Sequence, residues 1–359
     1  MKKTLLGMAA LALLFVSCND DQNTISNEDQ SKIDMSDFYV YTDADIDEPA
    51  RIAEGKSKSC FSMVNLNRLL NENNDLEQNM FDIEYSSRKF IAGKKGGNGN
   101  GNGNGNGGGS GGDGGDGGTG GDNLGVINIP VYVHVIYSNS NENISSTQIN
   151  SQINVLNDDF RASNNDANQV PSEFSGLVAD SEITFTLANV FRYSNSRTSW
   201  GTNDAMKAAY PPVTPETHLN IWVCNIGGGI LGYAQFPGGP SSTDGVVISP
   251  QYFGTTGFVS APFDEGRTAT HEVGHYLNLR HIWGDGRCNR DDFVADTPAS
   301  DGPNYGCPSY PTRNCRSNDM TMNYMDYTND ACMYMFSEGQ KTRMRSIFAS
   351  GGPRSAMAN

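Results

Sequence analysis

The sequence predicts a mixed α/β (α+β) domain: a mixed twisted sheet with a long backing helix, a second helix near the sheet edge, and a loop-rich, disulfide-bonded C-terminal subdomain. Three observations carry this. Ile127–Tyr137 alternates and is rich in β-branched residues, as a strand requires. Ser145-Ser-Thr-Gln148 resembles a capping box, and Ile149, Ile153, Leu156 and Phe160 behind it recur at helical spacing. Beyond residue 281 the chain is dense in Cys, Asp, Pro and Gly, so something other than a core must hold it.

Taken from the start, Met1-Lys-Lys and the apolar run Thr4–Val16 read as a secretory signal over 1–17, too short to span a membrane as a mature helix. The run ends at Phe15-Val-Ser-Cys18, which resembles a bacterial lipoprotein box. The expected location is therefore outside the cytoplasm, either as an outer-membrane or cell-surface lipoprotein anchored to the membrane through Cys18 or as a protein secreted after processing. Asn19–Glu54 is polar and acidic and reads as a tether with little fixed structure. From Cys60 the positions Met63, Leu66, Leu69, Leu70, Met80, Phe81 and Ile83 fit one or two short helices. Lys94–Asp122 is a Gly/Asn/Asp tract without side chains to bury, and it separates a tether and pro-segment (18–93) from a domain at 123–359. Calcium-binding rolls also repeat Asp and Gly, but they need a recurring apolar residue that this tract lacks.

Within the domain, Ile183–Val190, Leu219–Cys224 and Gly245–Ser249 read as further strands. Gly232–Phe236 reads as a short edge strand bounded by Gly and Pro. The 359 residues include 41 glycines and carry a formal charge of −16. That balance argues against nucleic-acid binding, which needs clustered Lys and Arg to displace counterions.

Three of the five histidines fall in His271-Glu-Val-Gly-His275-Tyr-Leu-Asn-Leu-Arg-His281. On a helix over Arg267–Asn278, His271 and His275 stand at i and i+4 with Cβ atoms roughly 5–6 Å apart, close enough to share one Zn²⁺. Glu272 then sits where a general base can reach the metal's open position. His281 lies too far along for the same face, so the chain must turn back at Asn278. Related motifs place Gly there, and Asn is among the few other residues that visit the left-handed region. The four cysteines Cys288, Cys307, Cys315 and Cys332 in an exported chain imply two disulfides with three connectivities; their spacing lacks the close pairs that structural zinc prefers.

With the zinc motif, the runs Leu219-Asn-Ile-Trp-Val-Cys and Gly229-Ile-Leu-Gly-Tyr-Ala and the run Met322-Asn-Tyr-Met-Asp-Tyr327 in place, Ile127 to about Arg343 resembles the pappalysin family of metzincin zinc metalloendopeptidases. The resemblance implies a metzincin-type catalytic domain acting on protein or peptide substrates. It implies that Met325 is the Met-turn residue beneath the zinc, that Tyr327 aims its phenol at the tetrahedral intermediate, and that the disulfides are Cys288–Cys315 and Cys307–Cys332. It points to a Ca²⁺ site at Asp292 and Thr297, with the Ala295 carbonyl near. It implies that Cys60, in Ser57-Lys-Ser-Cys60-Phe-Ser-Met63, holds the zinc in a latent form; the dibasic pair Arg88-Lys89 is the expected place for the processing that releases it. It also places Asp330 at the base of the pocket for the side chain after the scissile bond, which implies a preference for Arg and Lys there. The competing reading is a surface adhesion or binding protein that keeps the fold without catalysis; a retained Glu272 argues against it.

Overall fold

Ile127, Ile129, Val131, Val133 and Val135 put an unbroken apolar row on one face of β1 (Ile127–Tyr137), and all five are buried. A strand covered this way belongs in the middle of a sheet. β2 (Ile183–Ser194) and β3 (Leu219–Val223) run parallel to it on either side. β4 (Gly232–Ala234) and β5 (Val246–Ile248) complete a five-stranded sheet of order β2-β1-β3-β5-β4, with β5 parallel to β3 and β4 the one antiparallel strand, at the edge. The computed structural model describes residues 33–42, 60–96 and 122–358. The signal at 1–17, lipidation at Cys18 and most of the glycine tract lie outside the described residues, as does the sequence from 43 to 59.

Two helices precede the sheet: α1 (Ser62–Glu72) and α2 (Leu76–Gly96). The helix crossing from β1 to β2 is α3 (Ser146–Phe160), which buries Ile149, Ile153, Leu156 and Phe160 against the sheet. Ser145 caps it by accepting the Gln148 N–H at 3.1 Å. Only half of the expected box forms, because the Gln148 amide reaches away to the carbonyls of Pro250, Phe253 and Phe258. A short α4 (Ala205–Ala209) follows β2, and α5 (Arg267–Tyr276) packs under β4 and β5. The expected strands hold their places. β2 runs four residues longer, to Ser194, because Phe191 and Tyr193 extend the aromatic row beside Tyr132 and His134.

Three expectations change. α2 is not short: it runs 21 residues, past the Lys94 at which the glycine linker was to begin. The Lys94 ammonium then lies 3.3 Å from the Asp122 carboxylate, which also takes Arg345 in a bidentate pair at 2.6 and 2.7 Å. The two ends of the tract meet on one carboxylate instead of being held apart. The supposed tether is also partly fixed, since Phe38, Tyr39 and Val40 pack against the main body.

After α5 the chain is mostly loop, stapled by Cys288–Cys315 and Cys307–Cys332. A two-residue hairpin of β6 (Arg313–Asn314) and β7 (Ser317–Asn318) turns through Cys315 and Arg316, both at positive φ. The closing α6 (Glu338–Ser346) has a complete capping box between Ser337 and Gln340, a signal that the sequence carries in Ser337-Glu-Gly-Gln340. Among the described residues no helix is long and apolar enough to cross a membrane.

Candidate metal centre and active site

α5 brings His271 and His275 to one face, and its fit to the rest depends on Gly274. A Cβ at that position would lie 2.4 Å from the Met325 sulfur, so glycine is what lets Met325 pack against the helix. The helix ends at Tyr276, two residues before the expected Asn278, which adopts φ +76° and turns the chain back. His281 then joins the other two. Each ring is oriented through Nδ1: His271 on the Tyr324 carbonyl at 2.7 Å, His275 on the Leu279 carbonyl at 2.8 Å, and His281 on the Asp285 carboxylate. A proton held at Nδ1 leaves the Nε2 lone pair for a metal.

The three Nε2 atoms converge, with His275 3.2 Å from His271 and 3.1 Å from His281. Four ligands about 2.0–2.1 Å from a tetrahedral zinc stand roughly 3.3 Å apart, so the set fits that ion. All three imidazoles are buried.

The Cys60 sulfur lies with them, all four donor atoms within 4.8 Å of one another. It sits 3.3 Å from the Glu272 carboxylate. The residues that follow lie along the outer edge of β4. Phe61 donates its N–H to the Gly232 carbonyl at 3.0 Å, Ser62 Oγ accepts the Ala234 N–H at 2.7 Å, and Asn65 Nδ2 donates to the Ala234 carbonyl at 3.0 Å. The Cys60–Gly232 bridge is parallel. Ser62 also donates to Glu272 at 2.6 Å. Gly232 makes the arrangement possible, since a Cβ there would lie 3.0 Å from Glu272 Cγ and 2.9 Å from the Val247 carbonyl. Gly232 is legible in the sequence as the start of the edge strand, whereas the contacts of Ser62 and Asn65 with that strand and with Glu272 carry no sequence signal.

Tyr327 is buried beside His281, with ring centroids 4.9 Å apart, and its hydroxyl donates to the Cys60 carbonyl at 3.3 Å. Asp330 is buried at the start of α5, where Oδ2 accepts the N–H groups of Glu265 and Arg267, each at 3.1 Å. Its neighbour Asp326 is occupied elsewhere, taking the Asn304 and Tyr327 N–H groups. Asp292 is buried and meets Thr297 directly, both carboxylate oxygens accepting the Thr297 hydroxyl at 2.8 and 2.9 Å. Burial pushes the Asp292 carboxyl well above the usual range. The Val294 N–H also donates to Asp292 Oδ1, at 3.0 Å.

The family model of Peptidase_M43, described as pregnancy-associated plasma protein-A, matches residues 214–349. The extracellular metalloprotease of Arthroderma benhamiae is 34% identical over 229 residues, which cover 61% of this chain and 76% of that protein. The chain belongs to this pappalysin family. Extracellular metalloprotease 1 of Coccidioides posadasii is 35% identical over 235 residues, covering 62% of this chain and 77% of its own. Among solved structures, Tannerella forsythia mature mirolysin in complex with a cleaved peptide shares 46% identity at a TM-score of 0.63, over 65% of this chain and 96% of that one. A mutant of T. forsythia promirolysin shares 45% identity at the same TM-score of 0.63, over 65% of this chain and 84% of that one. The pappalysin chain described here is thus a zinc metalloendopeptidase with a metzincin-like fold, and its extracellular relatives support export.

Proposed function

We propose that this chain is a latent zinc endopeptidase whose own residues 60–65 fill the substrate cleft until they are removed. One observation carries the reading: the Cys60 sulfur stands as fourth donor among His271, His275 and His281, while Cys60 and Ser62 both contact Glu272. When bound, Zn²⁺ supplies a Lewis acid that polarises a peptide carbonyl and brings the pKa of water toward about 7. Glu272 takes a proton from the attacking water and delivers it to the departing amine. Tyr327 donates its phenol to the oxyanion that develops on the carbonyl. β4 offers Gly232 O, Ala234 N and Ala234 O to an extended peptide, the groups that residues 61–65 occupy here. Asp330 selects Arg, and less well Lys, after the scissile bond.

Release requires a cut, and Arg88-Lys89 is poorly placed for one. Both residues lie inside α2, with Arg88 paired to Glu84 and Asp37, and a helical peptide bond does not fit an extended cleft. Processing there needs α2 to melt first. Lipidation at Cys18 belongs to the same reading, and mass spectrometry of the purified mature N-terminus tests it.

The deciding experiment replaces zinc with Co²⁺ in the intact chain. A thiolate-to-cobalt charge-transfer band is expected, absent in Cys60→Ser, and Cys60→Ser is expected to mature and hydrolyse peptide faster than the parent. A parent without the band, or a Cys60→Ser chain as silent as the parent, removes the thiol from the lock. Glu272→Ala should keep zinc and lose activity by about 10²–10⁴-fold; near-parental cleavage by the zinc-loaded variant would remove the base.

A further inference from the structure

The loop that follows His281 crosses itself. Gly284 (φ +61°) lies against the backbone of Asp291, where an added Cβ would sit 2.7 Å from the Asp291 N and C atoms. The crossing brings the carbonyls of Gly284 and Asp291 to a single point, and one hydroxyl serves both. It is that of Tyr39, which donates to the Gly284 carbonyl and, at 2.8 Å, to the Asp291 carbonyl.

The walls match the ring. The Arg280 and Arg290 guanidiniums stand 4.5 and 4.2 Å from its centroid, and Phe293 meets it edge-on at 5.3 Å. Arg280 is 3% exposed, donates Nη2 to the Tyr39 carbonyl at 2.5 Å, and has a buried Nη1 without a hydrogen-bond partner among the described residues. Phe38 stacks on Phe293 at 6.1 Å and packs edge-on against Phe81 at 5.4 Å.

Cation–π contacts favour any aromatic ring, but two converging carbonyls favour one that carries a donor. Phenylalanine would leave both carbonyls facing a C–H. We infer that the loop between Arg280 and Phe293 is a binding pocket for a tyrosyl side chain on an extended peptide, filled here by the chain's own Tyr39. Its position matters because Arg280 is adjacent to His281 and Asp285 orients the His281 ring. A ligand gripped by Arg280 and Gly284 therefore holds the loop of the third metal ligand from its far side. The pocket lies outside the cleft that Cys60 enters, and it stands whether or not Cys60 is the lock.

The test empties the pocket in the intact chain and offers it a peptide. A fluorescent peptide of residues 35–42 is titrated against the parent and against Tyr39→Ala, with folding checked by circular dichroism and zinc content. Saturable binding to Tyr39→Ala, little binding to the parent, and about tenfold weaker binding of a peptide with Phe in place of Tyr39 are expected. Arg290→Ala added to Tyr39→Ala should weaken binding again. No binding to a folded, zinc-loaded Tyr39→Ala chain overturns the inference, as does equal binding to the parent, which places the peptide elsewhere. If Tyr39→Ala fails to fold, Tyr39→Phe decides by hydrogen exchange. Faster exchange over 282–292 than in the parent supports the phenol's role, and unchanged exchange overturns it.

Discussion

Ser62 donates its hydroxyl to the Glu272 carboxylate at 2.6 Å and accepts the Ala234 N–H at 2.7 Å. One small side chain so holds both the residue proposed as the base and the strand proposed to bind substrate. Ser62→Ala removes a donor from a buried carboxylate and an acceptor from a buried N–H, each worth about 1 kcal/mol or somewhat more. The unprocessed variant should therefore hydrolyse a quenched peptide about tenfold faster than the unprocessed parent, with intactness checked by mass. A variant that melts earlier but hydrolyses no faster would mean that Ser62 packs the segment without restraining Glu272.

Asn278 stands at φ +76°, and its carbonyl accepts Arg343 Nε at 2.8 Å. Its buried side-chain nitrogen has no hydrogen-bond partner among the described residues. Glycine would remove both the Cβ and that buried donor, so Asn278→Gly should keep zinc and match or exceed the parent's melting temperature. Asn278→Val puts a β-branched residue in the left-handed region at a cost of about 1–3 kcal/mol. It should lose zinc to a competing chelator sooner. Equal melting and equal zinc retention in the two variants would mean that the turn does not set the position of His281.

How far the sequence speaks follows from how local each signal is. His271, Glu272, His275 and the turn at Asn278 are legible because a helix and one left-handed residue relate them over a few positions. β1 and the apolar face of α3 are legible for the same reason. Tyr39 looks in the sequence like part of a tether because its partners, Arg280 to Phe293, lie far along the chain and no periodicity marks them. The sequence understates the length of α2 because the helix is amphipathic only in part, and Glu84 and Ser87 on its buried side pair with Arg343 and Ser346. Gly232 looks like any strand-edge glycine until Glu272 is seen beneath it. Spacing left three disulfide connectivities open, and only the family resemblance chose between them.

Asp292 gives a test of the Ca²⁺ site that the sequence suggested. Its carboxylate is buried and met by the Thr297 hydroxyl and the Val294 N–H, and the nearby Arg343 only partly offsets the cost of burying its charge. If Ca²⁺ binds there in the folded state only, a concentration of 100 times the Kd stabilises the protein by about 2.7 kcal/mol. With zinc kept saturating, added Ca²⁺ should raise the melting temperature of the parent and leave Asp292→Asn unmoved. The same rise in both, or none in the parent, would exclude a Ca²⁺ ion at Asp292.

Asp330 has two roles to separate, because the structure gives it one and the substrate proposal gives it another. Its Oδ2 accepts the Glu265 and Arg267 N–H groups at the start of α5, the helix that carries His271 and His275. That contact alone explains a buried carboxylate, since a helix N-terminus favours negative charge. Asp330→Ala would lose the anchor together with any pocket charge, and a fall in activity would then say nothing about specificity. Asp330→Asn is the cleaner change: its carbonyl oxygen can still accept the two N–H groups, while the charge that would pair with a substrate guanidinium is gone. On processed, zinc-loaded enzyme, kcat/KM for peptides with Arg after the scissile bond should fall by about 10²-fold or more, as breaking a buried charge pair does. Peptides with an apolar residue at that position should change little, and Lys peptides should fall in between. Equal losses on all three classes would assign Asp330 to anchoring α5, and an undiminished preference for Arg would move the specificity to another residue.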